Sequence, residues 1–203
     1  MMKFLMIVAS LAAICSALPS RLGRQTRQSG RELESMILNN TLELDPEGSF
    51  RLDWDVVYED PSNPLLVLEM RVATTGWFSL RFTSADLTLG DYFYGAYDAS
   101  KPSNSFFLDK HCALVDGLGC ETAEGPRDDF RNDFQLLSFL FGTDYTVMRI
   151  ARQVDTGNNL QDVVITPGPM MIGWAWSTGI FNNGFLTPIE KFGFQTVVLI
   201  AAE

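Results

Sequence analysis

From Phe50 to Val56 the chain reads Phe50-Arg51-Leu52-Asp53-Trp54-Asp55-Val56, apolar and charged residues in strict alternation. A period of two places alternate side chains on opposite faces of an extended strand, so one face can be buried while the other meets water. Further short β-forming stretches recur along the chain: Leu65 to Ala73, Thr75 to Phe82, Tyr92 to Tyr97, Phe134 to Phe141, Tyr145 to Val154, Asp162 to Thr166, Met170 to Trp176 and Phe192 to Ile200. Turn-forming runs such as Asp60-Pro61-Ser62-Asn63-Pro64 and Ser84 to Gly90 divide them. This pattern predicts an all-β fold, an antiparallel β-sandwich with little helix, the one short helical candidate being Leu33 to Leu38. At 203 residues the chain is long enough for one sizeable β domain and short for two.

Residues 1–17 read as a secretory leader: Lys3 supplies the positive charge, Phe4 to Ile14 the apolar stretch, and Ser16-Ala17 a small-residue cleavage context. The stretch is too short to span a bilayer and no later segment is long and apolar enough to do so, so a secreted protein without a membrane anchor is expected. Residues 18–37 form a basic segment with Arg21, Arg24, Arg27 and Arg31, expected to be flexible and open to cleavage as a propeptide. The sandwich domain is expected over 38–203.

Losing the leader moves the formal charge from −10 to −11, which argues against nucleic acid as a partner. It also removes Cys15, leaving Cys112 and Cys120 as the only intramolecular pair in an oxidising compartment; a disulfide between them is expected. Asn39-Asn40-Thr41 is the sole Asn-x-Ser/Thr acceptor, so a glycan is expected on Asn39.

The order of several segments resembles the DOMON domain, the non-catalytic N-terminal module of the dopamine β-monooxygenase family that also occurs in secreted proteins and extracellular cytochromes. The segments are Leu52-Asp53-Trp54, Thr75-Gly76-Trp77-Phe78, Gly90 to Gly95, Phe107-Leu108-Asp109, Asp129 to Leu137 and Arg152 to Ile165. The resemblance spans roughly residues 40 to 200 and implies an immunoglobulin-like sandwich. It also implies a hard-cation site using the carboxylates of Asp91 and Asp133 with the carbonyls of Tyr92 and Leu108, a calcium-like ion being the occupant. The competing reading is that both acids cap turns through backbone N–H groups.

Copper monooxygenation needs clustered imidazoles, and this chain has one histidine, His111. The catalytic part of that family is therefore not represented, and the chain is not expected to be an enzyme. Haem-carrying relatives of this type use a Met and a His; the methionine position corresponds to Leu87 and no histidine follows Trp176, so haem is not expected and no cofactor is required. The lone His111 serves no nucleophile elbow either.

A second candidate site is aromatic. Tyr92 and Tyr94 share one face of their strand by the two-residue period, as do Trp174 and Trp176, and Trp77 is the next ring; such rings can stack on a sugar or another flat ligand. Arg149 and Asp155 are candidates for a brace between neighbouring strand ends. The functional expectation is a secreted, non-catalytic, monomeric or weakly associating module that binds a small molecule, a sugar or an extracellular protein. The alternatives are an extracellular haem-binding electron-transfer protein, or an accessory module acting in trans beside a copper monooxygenase.

Overall fold

A computed structural model of the chain describes residues 31–96, 105–113, 127–179 and 189–202. Among the described residues, eleven strands form two antiparallel sheets that pack face to face. The five-stranded sheet has the order β1 (Asn40–Glu43), β2 (Phe50–Val57), β3 (Leu65–Val72), β9 (Thr146–Gln153), β8 (Gln135–Phe141). In the six-stranded sheet the order is β11 (Lys191–Val198), β10 (Pro169–Ser177), β4 (Trp77–Thr83), β5 (Leu89–Ala96), β6 (Phe106–Ala113), β7 (Arg127–Asp128). The all-β sandwich expected from the alternation is what forms.

Strand β2 shows why. Phe50, Leu52 and Trp54 turn inward and are buried, while Arg51 stays at the surface and pairs with Asp53. The same parity sends Leu66, Leu68 and Met70, then Phe78, Leu80 and Phe82, and then Ile172, Trp174 and Trp176 into one continuous core between the sheets. Burying a large apolar side chain of this kind contributes about 1.5–3 kcal/mol.

Outside the five-stranded sheet a helical turn over 31–35 lays Leu33 on Val67 and Ala151. It starts and ends earlier than the Leu33 to Leu38 window, and it packs against the sheet although it belongs to the basic segment expected to be flexible. Arg149, on the outer face of β9, holds it in place: its guanidinium donates to the carbonyls of Leu33, Glu34 and Met36 and pairs with Glu69 at 2.8 Å. A cation at these carbonyls satisfies groups a helix end leaves unpaired. The brace expected between Arg149 and Asp155 is therefore replaced by Glu69, which lies directly across the β3–β9 ladder from Arg149.

Two strand boundaries also differ from the sequence reading. Residues 162–166 form no ladder; they cross the end of the sandwich with Val163 and Ile165 buried, the Ile165 amide donating to Val154. Strand β6 lay outside the expected strands and is held on one side by the full length of β5.

Gly76, in the turn before β4, has a measurable role. A Cβ there would lie 2.2 Å from the Ser177 carbonyl oxygen and 2.6 Å from that of Gly179, and backbone cannot swing aside as a side chain would. Gly76→Ala is expected to lower stability by about 1–3 kcal/mol in urea denaturation, the range for overpacking a closed site.

A buried carboxylate cage and an aromatic platform

Pairing between β5 and β6 sets Asp91 opposite His111 and Phe93 opposite Asp109. Directly paired residues share a face, so Asp91, Asp109 and His111 all turn toward the space between the sheets, at the end where the irregular chain from 155 to 168 crosses. That chain brings Asp162. One carboxylate oxygen from each of Asp91, Asp109 and Asp162 lies within 4.8 Å of the other two, and all three residues are buried. Asp129 and Asp133 stand at the rim: the Asp133 amide donates to Asp109 Oδ2 at 2.8 Å, and Asn158 Nδ2 donates to Asp129 Oδ1 at 3.2 Å. Asp133 itself pairs with Arg131, 2.7 Å between Nε and Oδ1.

One cation faces this group. Arg152, on the inner face of β9, forms an ion pair with Asp91 in which both side chains are 1% exposed. Its Nη2 donates to the Val163 carbonyl at 2.9 Å and its Nε to the Gln153 carbonyl at 3.1 Å, while the mutually stacked rings of Phe82 and Phe134 lie beside the guanidinium. Three carboxylates against one guanidinium leave a formal excess of two negative charges in the interior.

That excess is costly, because burying a carboxylate without compensation shifts its proton affinity. Burial pushes the Asp91 carboxyl up even though Arg152 pulls it back down. Burial also raises Asp109 to about 7, with Asp91 and Asp129 adding to the effect. Asp162 is raised to about 8, again chiefly by burial and further by Asp129. Asp91 Oδ1, Asp109 Oδ1, Asp129 Oδ2, Asp133 Oδ2 and both oxygens of Asp162 are buried without a hydrogen-bond partner among the described residues. Native interiors rarely leave so many acceptors unsatisfied in one place. An oxygen-only donor set of this kind suits a hard divalent cation, Ca²⁺ better than Zn²⁺.

The sequence-derived ligand set is distributed by the same parity. Asp91 is in the cage, and Asp133 meets it through its amide and at its rim. The side chains of Tyr92 and Leu108 turn to the opposite, outer face of the sheet and pack with Trp77 and Tyr94. Asp109 and Asp162 complete the trio; sequence reasoning missed both, and it missed Arg152. Its signal was present as the start of the Arg152 to Ile165 segment.

The outer face of the six-stranded sheet carries the aromatic platform. Tyr92 and Tyr94 stack with centroids 6.0 Å apart and planes at 11°, and Trp77 lies 6.3 Å from Tyr94. Arg81 reaches over the Tyr92 ring and over Phe194. Trp174 and Trp176 are on the other face, in the core, so the five rings do not line one surface. Trp174 instead borders an open hollow of about 530 Å³ between residues 43–47 and the start of β11. Asn39 is exposed, with its amide on Asp55 at 2.5 Å. Cys112 lies in β6, whereas Cys120 falls outside the described residues, as do the leader and residues 18–30 of the basic segment. No described helix is long and apolar enough to cross a membrane.

No family model matches the chain, and no curated protein matches it in sequence. Solved structures do share the fold. The cytochrome b domain of pyranose dehydrogenase from Coprinopsis cinerea aligns with a TM-score of 0.53 at 12% identity, over 76% of this chain and 79% of that one. The cytochrome domain of Myriococcum thermophilum cellobiose dehydrogenase aligns with a TM-score of 0.53 at 11% identity, over 80% of this chain and 85% of that one. These likenesses establish the sandwich, and the fold implied by the DOMON resemblance agrees with them. They also overturn the expectations that no cofactor is required and that haem is not to be expected, since the domains that share this architecture are cytochromes.

Proposed function

We propose that this chain is a secreted, non-catalytic binding domain on a cytochrome-type sandwich, and that its carboxylate cage holds a hard divalent cation, Ca²⁺ by preference. The observation that supports this reading is the trio Asp91, Asp109 and Asp162, which bring one oxygen each within 4.8 Å of the others in a buried setting where four of the trio's six carboxylate oxygens lack a hydrogen-bond partner among the described residues. A bound divalent ion would neutralise the excess charge and satisfy these oxygens together. Held at the junction of β5, β6 and the 155–168 crossing, it would tie the irregular segment to the six-stranded sheet.

Elemental analysis tests this. Protein purified in calcium-containing buffer is expected to retain roughly one Ca²⁺ per chain, and the Asp109→Asn, Asp162→Asn double variant none. A calcium-free parent under those conditions removes the reading.

The fold comparison favours a second reading, an extracellular haem-binding or electron-transfer domain. Haem bound here would supply a one-electron couple. The described residues do not assemble a Met–His pair for it. Leu87, where the resemblance places the sulfur, is an exposed turn residue with φ of 60°. A Cβ on Gly95 would touch the Met148 methyl, which places Met148 four residues along β5 from Asp91, the partner of His111. His111 faces Gln161, whose amide nitrogen lies 3.3 Å from Nδ1. An absorption spectrum after haem addition and gel filtration decides the matter: a retained Soret band establishes haem binding, and its absence at saturating haem rejects this reading while leaving the cation cage to its own test.

A further inference from the structure

The two sheets have four outer strands among the described residues, β1 and β8 on one and β11 and β7 on the other. Three of them are poor templates for another strand: β1 is four residues long, β7 is two, and β8 has a bulge between Leu136 and Ser138. Short and bulged edges are common devices against unwanted pairing. Strand β11 has neither. It runs eight residues in unbroken register with β10, contains no proline and no acid, and has Lys191 as its only charge. Its outward row is apolar apart from Thr196, with Phe192 68%, Phe194 57% and Val198 47% exposed. The hollow beside residues 43–47 separates its first half from the opposite sheet.

We propose that β11 is the seat of a two-fold antiparallel strand pairing with a second copy of this chain, joining the two six-stranded sheets into one. Charge permits a second copy at this edge, and the pairing of side chains favours one. The chain carries a net charge of −10, which opposes close approach of two copies, yet residues 191–202 contain no acid. Register selects the geometry. A two-fold axis at Gln195 sets Phe192 against Val198 and Phe194 against Thr196 on the outer face, and Gly193 against Val197 on the inner. Aromatic residues thereby meet β-branched ones across the strands, the favourable class of cross-strand pair, and Lys191 falls opposite Leu199 rather than another cation. Such an interface is isologous and closes at two copies. Arg81, already stacked on Phe194 and Tyr92, would continue the aromatic platform up to the junction.

Sedimentation equilibrium on the full secreted protein tests the pairing independently of the cage. The parent is expected to show a reversible monomer–dimer equilibrium in the micromolar range. Phe194→Lys should weaken it by at least roughly tenfold in a chain that still unfolds cooperatively, since a charge on an edge strand blocks pairing. Leu140→Lys, on the exposed part of β8, should leave it intact. Gln195→Cys should form a disulfide-linked dimer on oxidation, because paired Cα atoms at the two-fold come within disulfide reach. A parent that stays monomeric throughout overturns the proposal. So does a dimer indifferent to Phe194→Lys or abolished by Leu140→Lys.

Discussion

Replacing Arg152 with methionine is expected to cost about 3–5 kcal/mol of folding stability, the range for breaking one half of a buried ion pair. The side chain is 1% exposed, and so is that of Asp91, its ion-pair partner. Methionine fills much of the apolar volume beside Phe82 and Phe134 but leaves Asp91 without its cation, next to Asp109 and Asp162. The Val163 and Gln153 carbonyls lose their donors at the same time. Lysine is expected to rescue only part of the loss, since a single ammonium cannot reproduce the planar fork that reaches Asp91 and Val163 together. Urea denaturation in chelator measures it. The Arg152→Met, Asp91→Asn double variant should be less destabilised than the sum of the two single changes, the mark of a direct pair. A shift below about 1 kcal/mol for Arg152→Met would mean that the pair is not holding the sheets together.

The second large effect is a pH dependence that calcium reverses. In chelator, Asp109 and Asp162 are expected to titrate at about 7 and about 8 in the folded protein, against an ordinary aspartate value of 3.8. Between those values the folded state binds more protons than the unfolded one, so stability falls as pH rises. The melting temperature of the stripped protein is therefore expected to be higher at pH 5 than at pH 8. Bound calcium keeps the same carboxylates ionised and compensated, so the loaded protein should lose this slope. At pH 8, calcium at about a hundred times its dissociation constant should add about 2.7 kcal/mol. Melting curves across this range, with calcium and with chelator, check both halves. A stripped protein that is more stable at pH 8 than at pH 5 would contradict the burial of these acids.

How much of this was legible in the sequence depends on which physical rule governed each residue. Period-two alternation is local, so Phe50 to Val56 announced its inner and outer faces, and the pairing of Tyr92 with Tyr94 on one face followed from the same rule. Parity cannot say which face is which. Trp174 and Trp176 share a side as expected, yet that side is the core, whereas Tyr92 and Tyr94 point out of it. Register is less legible still. Asp109 and Asp91 come together because β5 and β6 pair with Phe93 opposite Asp109, a register that the period-two alternation of either strand does not supply. Residues 162–166 alternate like a strand, but their polar and apolar groups serve the cage and the core end rather than a ladder. Arg149 and Arg152 differ by an odd step, which sends one outward to the helical turn and the other inward to Asp91.

The claim that Asp109 and Asp162 are protonated without a metal and ionised with one can be tested by counting protons. Stripped protein at pH 6.5 is titrated with CaCl₂ in two buffers of different ionisation enthalpy, and the calorimetric difference gives the protons released per ion bound. Saturable binding with release of roughly one to two protons per Ca²⁺, abolished in Asp109→Asn, Asp162→Asn, is the expected result. Binding with no proton release, or no binding at all, would contradict the cage.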